Sequence, residues 1–345
     1  MGARAHAARG TLLSKASTEK LAESSSLEEY VDRLKATSYS AALSRLQPPY
    51  SARKLELALR ERLADVHFLL LNAAKKYELL RLYYFRKIAW DLKSALKSRA
   101  LGKSYSESVE FLDMYAEELV GRRDLIVKVL SARDIGEAAS LLAGTEFGEA
   151  VARAAVNFNT KGDLRFFDLC IDHPVLTMIA KEYADNAESY SSPRSFDVAG
   201  TGEMVALDVD SYNILAVLRT KLWGLPEAET RSLLILPAYR IRLDTLQNMI
   251  TVESISEAIK LVKGVYGLSV PESSSQDEQV DAVETRLIDE SRRVATRSFV
   301  WQKLGFANAL ALTKLLEFEV TNLAAVALGI EAHLPPKDVL SKLRF

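Results

Sequence analysis

Positively charged side chains are concentrated in one stretch of the chain, between Arg81 and Lys103. Asp91 is the only acidic residue within it. A basic stretch of this kind can steer an acidic partner surface or lie near lipid headgroups. Its alternative role is an ordinary solvated helix face, since charged surface helices are common. The stretch therefore supplies four candidates for partner binding, which are Arg86, Lys93, Lys97 and Arg99.

A second pair of cations, Arg219 and Lys221, follows Asn213 on a predicted helix. Charge pairs made by such residues can fix the orientation of a bound protein at a modest net energy. Surface salt bridges within the chain are the alternative. We add both residues to the partner-binding candidates.

Residues that could carry catalysis or bind a metal are scattered along the chain. The four histidines are far apart, and none has a histidine four residues away, whereas zinc needs clustered ligands. The spacing of Cys170 and His173 does not mark a catalytic pair. The segment from Gly200 to Glu203 lacks the Gly-Lys-Ser/Thr continuation of a phosphate loop and is predicted to be a surface loop. We expect no enzyme activity, no cofactor, no metal and no small-molecule substrate.

The composition narrows the class of protein further. The chain has 345 residues with 45 basic and 46 acidic side chains, so no overall charge attracts it to nucleic acid. Its apolar stretches are shorter than the roughly 18 to 20 residues that span a bilayer. A single cysteine fits a reducing compartment. Scarce glycine and proline with abundant helix-forming residues predict an all-α fold.

A helix-start pattern occurs three times. In each copy a cap residue lies three positions before a glutamate, so that cap and glutamate can satisfy each other's backbone N–H groups. The pairs are Ser26 with Glu29, Asp134 with Glu137, and Ser254 with Glu257. Apolar residues follow at the same helical spacing in all three copies, and each short helix runs into an aromatic residue, which is Tyr39, Phe147 or Tyr266.

A second pattern also occurs three times, at Asp91, Asn213 and Asn322. Each residue is predicted to begin a helix, where its side chain would satisfy local backbone groups. Gly102 and Gly224 end the first two of these helices, and His333 stands in the corresponding place in the third. The two patterns together predict three related helical units, spanning residues 1–120, 121–250 and 251–345, packed side by side.

Several short motifs occur in order along nearly the whole chain. They are Ala3-Arg4, Leu12-Leu13, Leu27-Glu28-Glu29, Leu34 to Tyr39, Asp210 to Ile214, Arg219 to Gly224, Leu236-Pro237, Glu319 to Leu323, Gly329 and Leu334-Pro335-Pro336. In this order they resemble the C subunit of archaeal A-type ATP synthases and bacterial V-type ATPases, a family related to the d subunit of eukaryotic vacuolar ATPases.

The resemblance implies three similar helical subdomains around a pseudo-threefold axis, forming a funnel. Such a funnel would sit on the cytoplasmic mouth of the proteolipid ring and receive the lower end of the central shaft, whose subunits are of the D and F type. It implies a non-catalytic rotor subunit, peripheral on the inner face of the cell membrane. Two alternatives are a helical-repeat scaffold with an open, concave binding surface and a helical enzyme with an unrecognised site.

Overall fold

The computed structural model describes residues 1–74, 77–109, 112, 114–190, 197–268, 275–301 and 305–345. No strand occurs among these residues, and the all-α prediction is confirmed. The helices are α1 (Gly2–Arg9), α2 (Lys15–Ala22), α3 (Leu27–Lys35), α4 (Ser40–Leu43), α5 (Ala52–Ala73), α6 (Glu78–Ala100), α7 (Tyr105–Val109), α8 (Tyr115–Val120), α9 (Arg123–Ser131), α10 (Ile135–Leu142), α11 (Gly148–Lys161), α12 (Arg165–Asn186), the 3₁₀ helix Ala187–Tyr190, α13 (Asp197–Leu222), α14 (Glu227–Ser232), α15 (Leu243–Thr251), α16 (Ile255–Val262), α17 (Gln276–Trp301), α18 (Phe306–Glu331) and α19 (Pro336–Leu340).

The three predicted cap residues each begin a short helix, which is α3, α10 or α16. In each case the cap oxygen accepts a hydrogen bond from the glutamate N–H, at 3.3 Å for Ser26 with Glu29, 2.9 Å for Asp134 with Glu137 and 3.1 Å for Ser254 with Glu257. Only the Ser254 box is reciprocal among these three, because Glu257 accepts from the Ser254 N–H at 3.1 Å. In the other two copies the glutamate accepts from the residue before the cap, Ser25 or Arg133.

The apolar stripe predicted for these short helices is buried. The buried members are Leu27, Tyr30, Val31 and Leu34 in α3, Ile135, Ala138 and Leu142 in α10, and Ile255, Ala258, Ile259 and Val262 in α16. The aromatic residues that follow are buried too, at Tyr39, Phe147 and Tyr266. Burial of one face holds each short helix in place, since an isolated helix of this length is marginal in water.

The prediction that Asp91, Asn213 and Asn322 begin helices was wrong. They lie well inside α6, α13 and α18, because the apolar residues before them continue the helical pattern and the asparagine side chains have partners far away in sequence. The predicted surface loop at Gly200 to Glu203 was also wrong. It forms part of α13, where Thr201 is buried.

The ends of α6, α13 and α18 share one geometry. Gly102, Gly224 and His333 all adopt left-handed backbone conformations, with φ of 67°, 64° and 53°. The residue after each donates its N–H to a carbonyl five positions earlier, from Lys103 to Ser98, Leu225 to Thr220 and Leu334 to Gly329. This is the Schellman arrangement, in which a left-handed residue satisfies carbonyls that the helix leaves free. The prediction of a terminal glycine is confirmed for the first two helices, and His333 takes the same conformation in the third.

Each of these three long helices packs against one short capped helix and against at least one other long helix. α6 contacts α10 and α12, α13 contacts α16 and α17, and α18 contacts α3 and α5. The last group joins the two ends of the chain, where the Tyr30 hydroxyl donates to the Leu323 carbonyl at 2.9 Å. The boundaries of the units at residues 120 and 250 stay a prediction, as does their arrangement as a funnel.

Candidate functional site

A cavity of 390 Å³ lies where α6, α12, α13, α17 and α18 meet. Arg86 and Trp90 of α6 line it, and they also line an adjoining recess of 210 Å³ that reaches toward α5. The two spaces share Glu317 and Thr321 of α18 as well. The cavity is therefore built by helices drawn from all three predicted units.

The repeat places equivalent residues of three helices in this cavity. Arg86, Asp208 and Glu317 each lie five positions before Asp91, Asn213 and Asn322, and all three line the cavity. Residues at one helical register share one face of their helix. The same face of each long helix thus carries a charged side chain into the cavity.

Ion pairs connect these charges across helices. Lys314 Nζ lies 2.7 Å from both carboxylate oxygens of Asp208, and the Tyr83 hydroxyl donates to Asp208 Oδ2 at 2.7 Å. Lys87 Nζ donates to Glu317 Oε1 at 3.2 Å. Arg86 lies beside this cluster, with one guanidinium nitrogen 3.6 Å from Asp208 Oδ2. The cluster joins α6, α13 and α18 at the cavity wall.

Burial and charge compete in setting the protonation of this cluster. Burial alone would raise the pKa of Glu317, but Lys87, Arg86 and Lys314 lower it to about 2. Burial lowers the pKa of Lys314 and of Lys87. The carboxylate of Asp208 opposes this shift for Lys314, and that of Glu317 opposes it for Lys87. The carboxylate of Glu317 is therefore ionised at neutral pH, as salt-bridged carboxylates in proteins usually are.

The other cations predicted to bind a partner all have partners within the chain. Lys93 and Lys97 bind Asp172 and Asp168 of α12 at 2.8 and 2.7 Å, and Arg219 binds Glu284 of α17 at 2.7 Å. These three acids line the cavity, so the basic stretch is in large part matched by acids from neighbouring helices. The partner-binding role of these residues stays a prediction.

Arg99 and Lys221 each make the same kind of contact within the chain, which the sequence did not indicate. They occupy equivalent places, eight positions after Asp91 and Asn213. Arg99 donates to the Ala132 carbonyl at 3.1 Å, and Lys221 donates to the Ile250 carbonyl at 2.8 Å and to the Val252 carbonyl. These carbonyls lie at the ends of α9 and α15. Each cation thus satisfies carbonyls at a helix C-terminus, where positive charge is favourable.

The two repeated asparagines form a clasp that sequence reasoning missed. Asn213 accepts the Ile235 N–H at 2.8 Å and donates to the Ile235 carbonyl at 3.0 Å. Asn322 makes the same two bonds with Arg344, at 3.0 and 2.7 Å. Each partner lies 22 residues further along the chain. The amide side chain supplies both the donor and the acceptor that this two-way pairing needs.

Two buried acids, Asp210 and Glu319, lie three positions before these asparagines. The Tyr266 hydroxyl donates to Asp210 at 2.8 Å, and the Tyr39 hydroxyl donates to Glu319 at 2.7 Å. Asp210 also accepts two backbone N–H groups, while Glu319 accepts the Leu13 N–H at 2.5 Å. Burial raises the pKa of both acids despite these bonds. They tie the segments after the short helices to α13 and α18.

Groups that might carry other chemistry are dispersed. Within the described ranges, no three His, Cys, Asp or Glu side chains are grouped so as to hold a metal ion. None of the helices described is both long and apolar enough to cross a membrane. Cys170 is buried, and burial raises the pKa of its thiol to about 12. A thiol of this kind is unreactive at neutral pH.

Comparison with known proteins places this fold in a family. The model of the ATP synthase (C/AC39) subunit family matches residues 1–341. The C subunit of the A-type ATP synthase of Pyrococcus horikoshii is 28% identical, over 98% of this chain and 87% of the relative. That of Pyrococcus abyssi is 26% identical with the same coverage, and that of Methanocaldococcus jannaschii is 22% identical over 99% of this chain and 85% of the relative. The chain belongs to the ATP synthase C/AC39 subunit family.

Proposed function

We propose that this chain is a non-catalytic rotor subunit of an A/V-type rotary ATPase. In that role it is a socket that links the central shaft to the membrane proteolipid ring. The observation that carries the proposal is the family match over residues 1–341, shared with relatives named as the C subunit of A-type ATP synthases. Its partners are shaft subunits of the D and F type and the proteolipid ring, on the cytoplasmic face of the membrane.

The cavity supports this role because it opens between long helices, where it can receive side chains of a shaft subunit. Long helices from all three predicted units line it. We propose that units 1–120, 121–250 and 251–345 surround the cavity as a funnel around a pseudo-threefold axis. The contact of α3 and α5 with α18 supports a closed arrangement, since an open stack of repeats brings only neighbouring units together.

Transmission of torque requires that the helices of the socket do not slide past one another. The pairs Lys314 with Asp208, Lys87 with Glu317 and Lys93 with Asp172 each connect two different long helices. Discrete ion pairs of this kind resist relative motion of the packed helices, although their net contribution to stability is modest. In this proposal ATP is made or hydrolysed elsewhere in the complex, and the chain supplies only rigidity and complementary surfaces.

Crosslinking mass spectrometry on the native membrane complex tests the proposal. Lysine-reactive crosslinks from this chain to shaft subunits and also to the cytoplasmic loops of the proteolipids are expected. A complex in which the chain crosslinks to neither would contradict the socket role. Crosslinks to the shaft alone would contradict the linkage to the ring while leaving shaft binding intact.

A further inference from the structure

An exposed row of arginines follows one face of α17. Arg286, Arg293 and Arg297 lie seven and four positions apart, and this spacing puts them on one side of a helix. The cavity is lined by other positions of the same helix, which are Glu284, Leu287, Ile288 and Ser291. The row of arginines therefore faces away from the cavity.

Arg240, in the segment before α15, joins the row through a shared carboxylate. It donates to Glu203 Oε1 at 2.7 Å, and Arg297 binds the same oxygen. Arg293 Nε donates to Glu290 Oε2 at 2.7 Å. The two glutamate side chains are 14% and 6% exposed, whereas those of Arg240, Arg293 and Arg297 are 46%, 56% and 39% exposed. Guanidinium groups therefore form the surface, and we call it the arginine patch, made of Arg240, Arg286, Arg293 and Arg297.

Positive charge is in excess at the arginine patch. The hydrogen bond from Arg293 lowers the pKa of Glu290, and the charges of Arg286 and Arg240 lower it further, so these groups lie within electrostatic reach of one another. Among the described residues, the other charges around the patch are Asp210, Arg242, Asp244, Asp289, Arg292 and Arg344. With these included, seven cations face five acids, and Asp210 is fully buried.

An exposed apolar side chain continues this face of α17. Val300 lies seven positions after Arg293 and is 66% exposed. A face that combines cations with an exposed apolar residue is typical of helices that bind the membrane interface. The basic stretch of α6 differs, because its Lys93 and Lys97 bind acids of α12.

We propose that the arginine patch binds phosphate groups of anionic lipids on the cytoplasmic face of the membrane, with Val300 entering the interface. This inference rests on the proposed function, which places the chain at that face, and deepens it by naming a lipid contact. A planar guanidinium matches a phosphate with two parallel hydrogen bonds. The negative surface potential of the cytoplasmic leaflet attracts exposed arginines, and each contributes about a fivefold gain in affinity.

The test is cosedimentation of the purified full chain with lipid vesicles. Vesicles of two parts phosphatidylcholine to one part phosphatidylglycerol should bind the chain, and vesicles of phosphatidylcholine alone should bind it less. The double variant Arg286→Ala with Arg297→Ala is expected to weaken binding to the anionic vesicles by roughly 10- to 30-fold. High salt should weaken the binding of the wild type, because salt screens exposed charges.

Arg123→Ala with Arg133→Ala is the matched control. It removes two exposed arginines that pair with Glu118 and Glu137 elsewhere on the surface. The control changes the net charge by the same amount as the patch variant, so it separates the patch from overall charge. It should bind the anionic vesicles nearly as the wild type does.

Circular dichroism and urea unfolding of each variant establish that it is folded. In the patch variant Glu290 keeps Arg293, and Glu203 keeps Arg240. Each buried carboxylate therefore retains a cation, and a folded protein is expected.

Equal binding of the patch variant and the control would overturn the proposal, as would wild-type binding that does not depend on phosphatidylglycerol. Either result leaves the socket role standing if the chain still crosslinks to shaft and ring. Loss of crosslinks to a protein subunit in the patch variant, with vesicle binding unchanged, would assign the patch to a protein and overturn the lipid contact. Vesicle binding through the patch by a chain that crosslinks to neither shaft nor ring would support the lipid contact and contradict the socket role.

Discussion

The junction between α16 and α13 and the junction between α10 and α6 are built on the same helix positions but differ in chemistry. At the first, Tyr266 donates its hydroxyl to the buried carboxylate of Asp210. At the second, the corresponding residues are Phe147 and Ile88, both fully buried in one apolar core. The junction of α3 with α18 is of the polar kind, with Tyr39 bound to Glu319.

The comparison shows that the repeat preserves a position in space and not a residue type. A tyrosine occurs where an acid faces it, and a phenylalanine occurs where the facing helix position is apolar. Either combination is stable, because a buried polar group is costly only when its partner is missing. Replacing one member of a pair should therefore destabilise the protein by more than the loss of that side chain alone, because the other member is left mismatched.

The largest loss of stability is expected from breaking an asparagine clasp, which α13 and α18 have at Asn213 and Asn322 and α6 lacks. Asn213→Ala leaves the Ile235 N–H and carbonyl without partners at a buried site, which should lower the free energy of unfolding by about 2 to 4 kcal/mol. Asn322→Ala should cost less, because its partner Arg344 is partly exposed. Urea unfolding measures both.

Asn248 provides the control for these variants, since it is exposed in α15. Asn248→Ala should change the unfolding free energy by less than about 0.5 kcal/mol. An Asn213→Ala protein as stable as this control would show that the clasp contributes nothing.

Exchange of the aromatic residues tests the matching directly. Tyr266→Phe removes a donor from Asp210, and Phe147→Tyr places a hydroxyl among apolar side chains. Both should destabilise the protein by about 1 to 3 kcal/mol, although the two substitutions are chemically opposite. Thermal unfolding at fixed pH measures them. Stabilisation by either exchange would contradict the idea that each junction is matched.

The pH dependence of stability should distinguish Glu319, the buried acid at the junction of α3 with α18, from Glu317, the ion-paired acid of the cavity. The pKa of Glu317 is lowered to about 2, so its charge stabilises the folded state above the ordinary value of 4.5, and this stability is lost as the pH falls toward 2. The pKa of Glu319 is raised. Its folded state prefers the protonated form, so its contribution decreases as the pH rises from 4.5 through the raised pKa.

Unfolding free energies of Glu317→Gln and Glu319→Gln between pH 4 and 7 check these signs. The stability of the wild type relative to Glu317→Gln should grow with pH, and that relative to Glu319→Gln should shrink. If both stability differences changed in the same direction with pH, one of the two carboxylates would have been assigned the wrong environment.

The smallest change in stability is expected at the C-terminal ends of α6, α13 and α18, where His333 stands in place of the glycine that ends the other two helices. His333→Gly should stabilise the protein by about 0.5 to 1 kcal/mol, because glycine adopts the left-handed conformation without the steric cost of a side chain. Gly224→Ala should destabilise it by about 1 kcal/mol, as no other atom hinders the added methyl group but the backbone conformation does. Differential scanning calorimetry resolves both shifts.

Local features of the fold could be predicted from the sequence. The capped helices from Ser26, Asp134 and Ser254 and the terminal glycines Gly102 and Gly224 depend on residues within one or two helical turns. The all-α class follows from composition in the same way. These features need no knowledge of what the rest of the chain does.

The missed features all depend on contacts between distant residues. Asn213 was read as a helix start because asparagine usually satisfies backbone nearby, whereas Ile235 returns from 22 residues away to meet it. The basic residues of α6 looked unmatched because their acids, Asp168 and Asp172, belong to another helix. Sequence spacing alone does not show which helices become neighbours.

The contact of α3 with α18 has a consequence for the order of events during synthesis. Tyr39 must wait for Glu319, which lies 280 residues later, and at about 5 to 20 residues per second this takes roughly 14 to 56 s. The bundle that contains the first residues made is thus the last to be completed. In the meantime the apolar face of α3 has no native partner on α18, and transiently exposed apolar surface of this kind makes a nascent chain prone to aggregation.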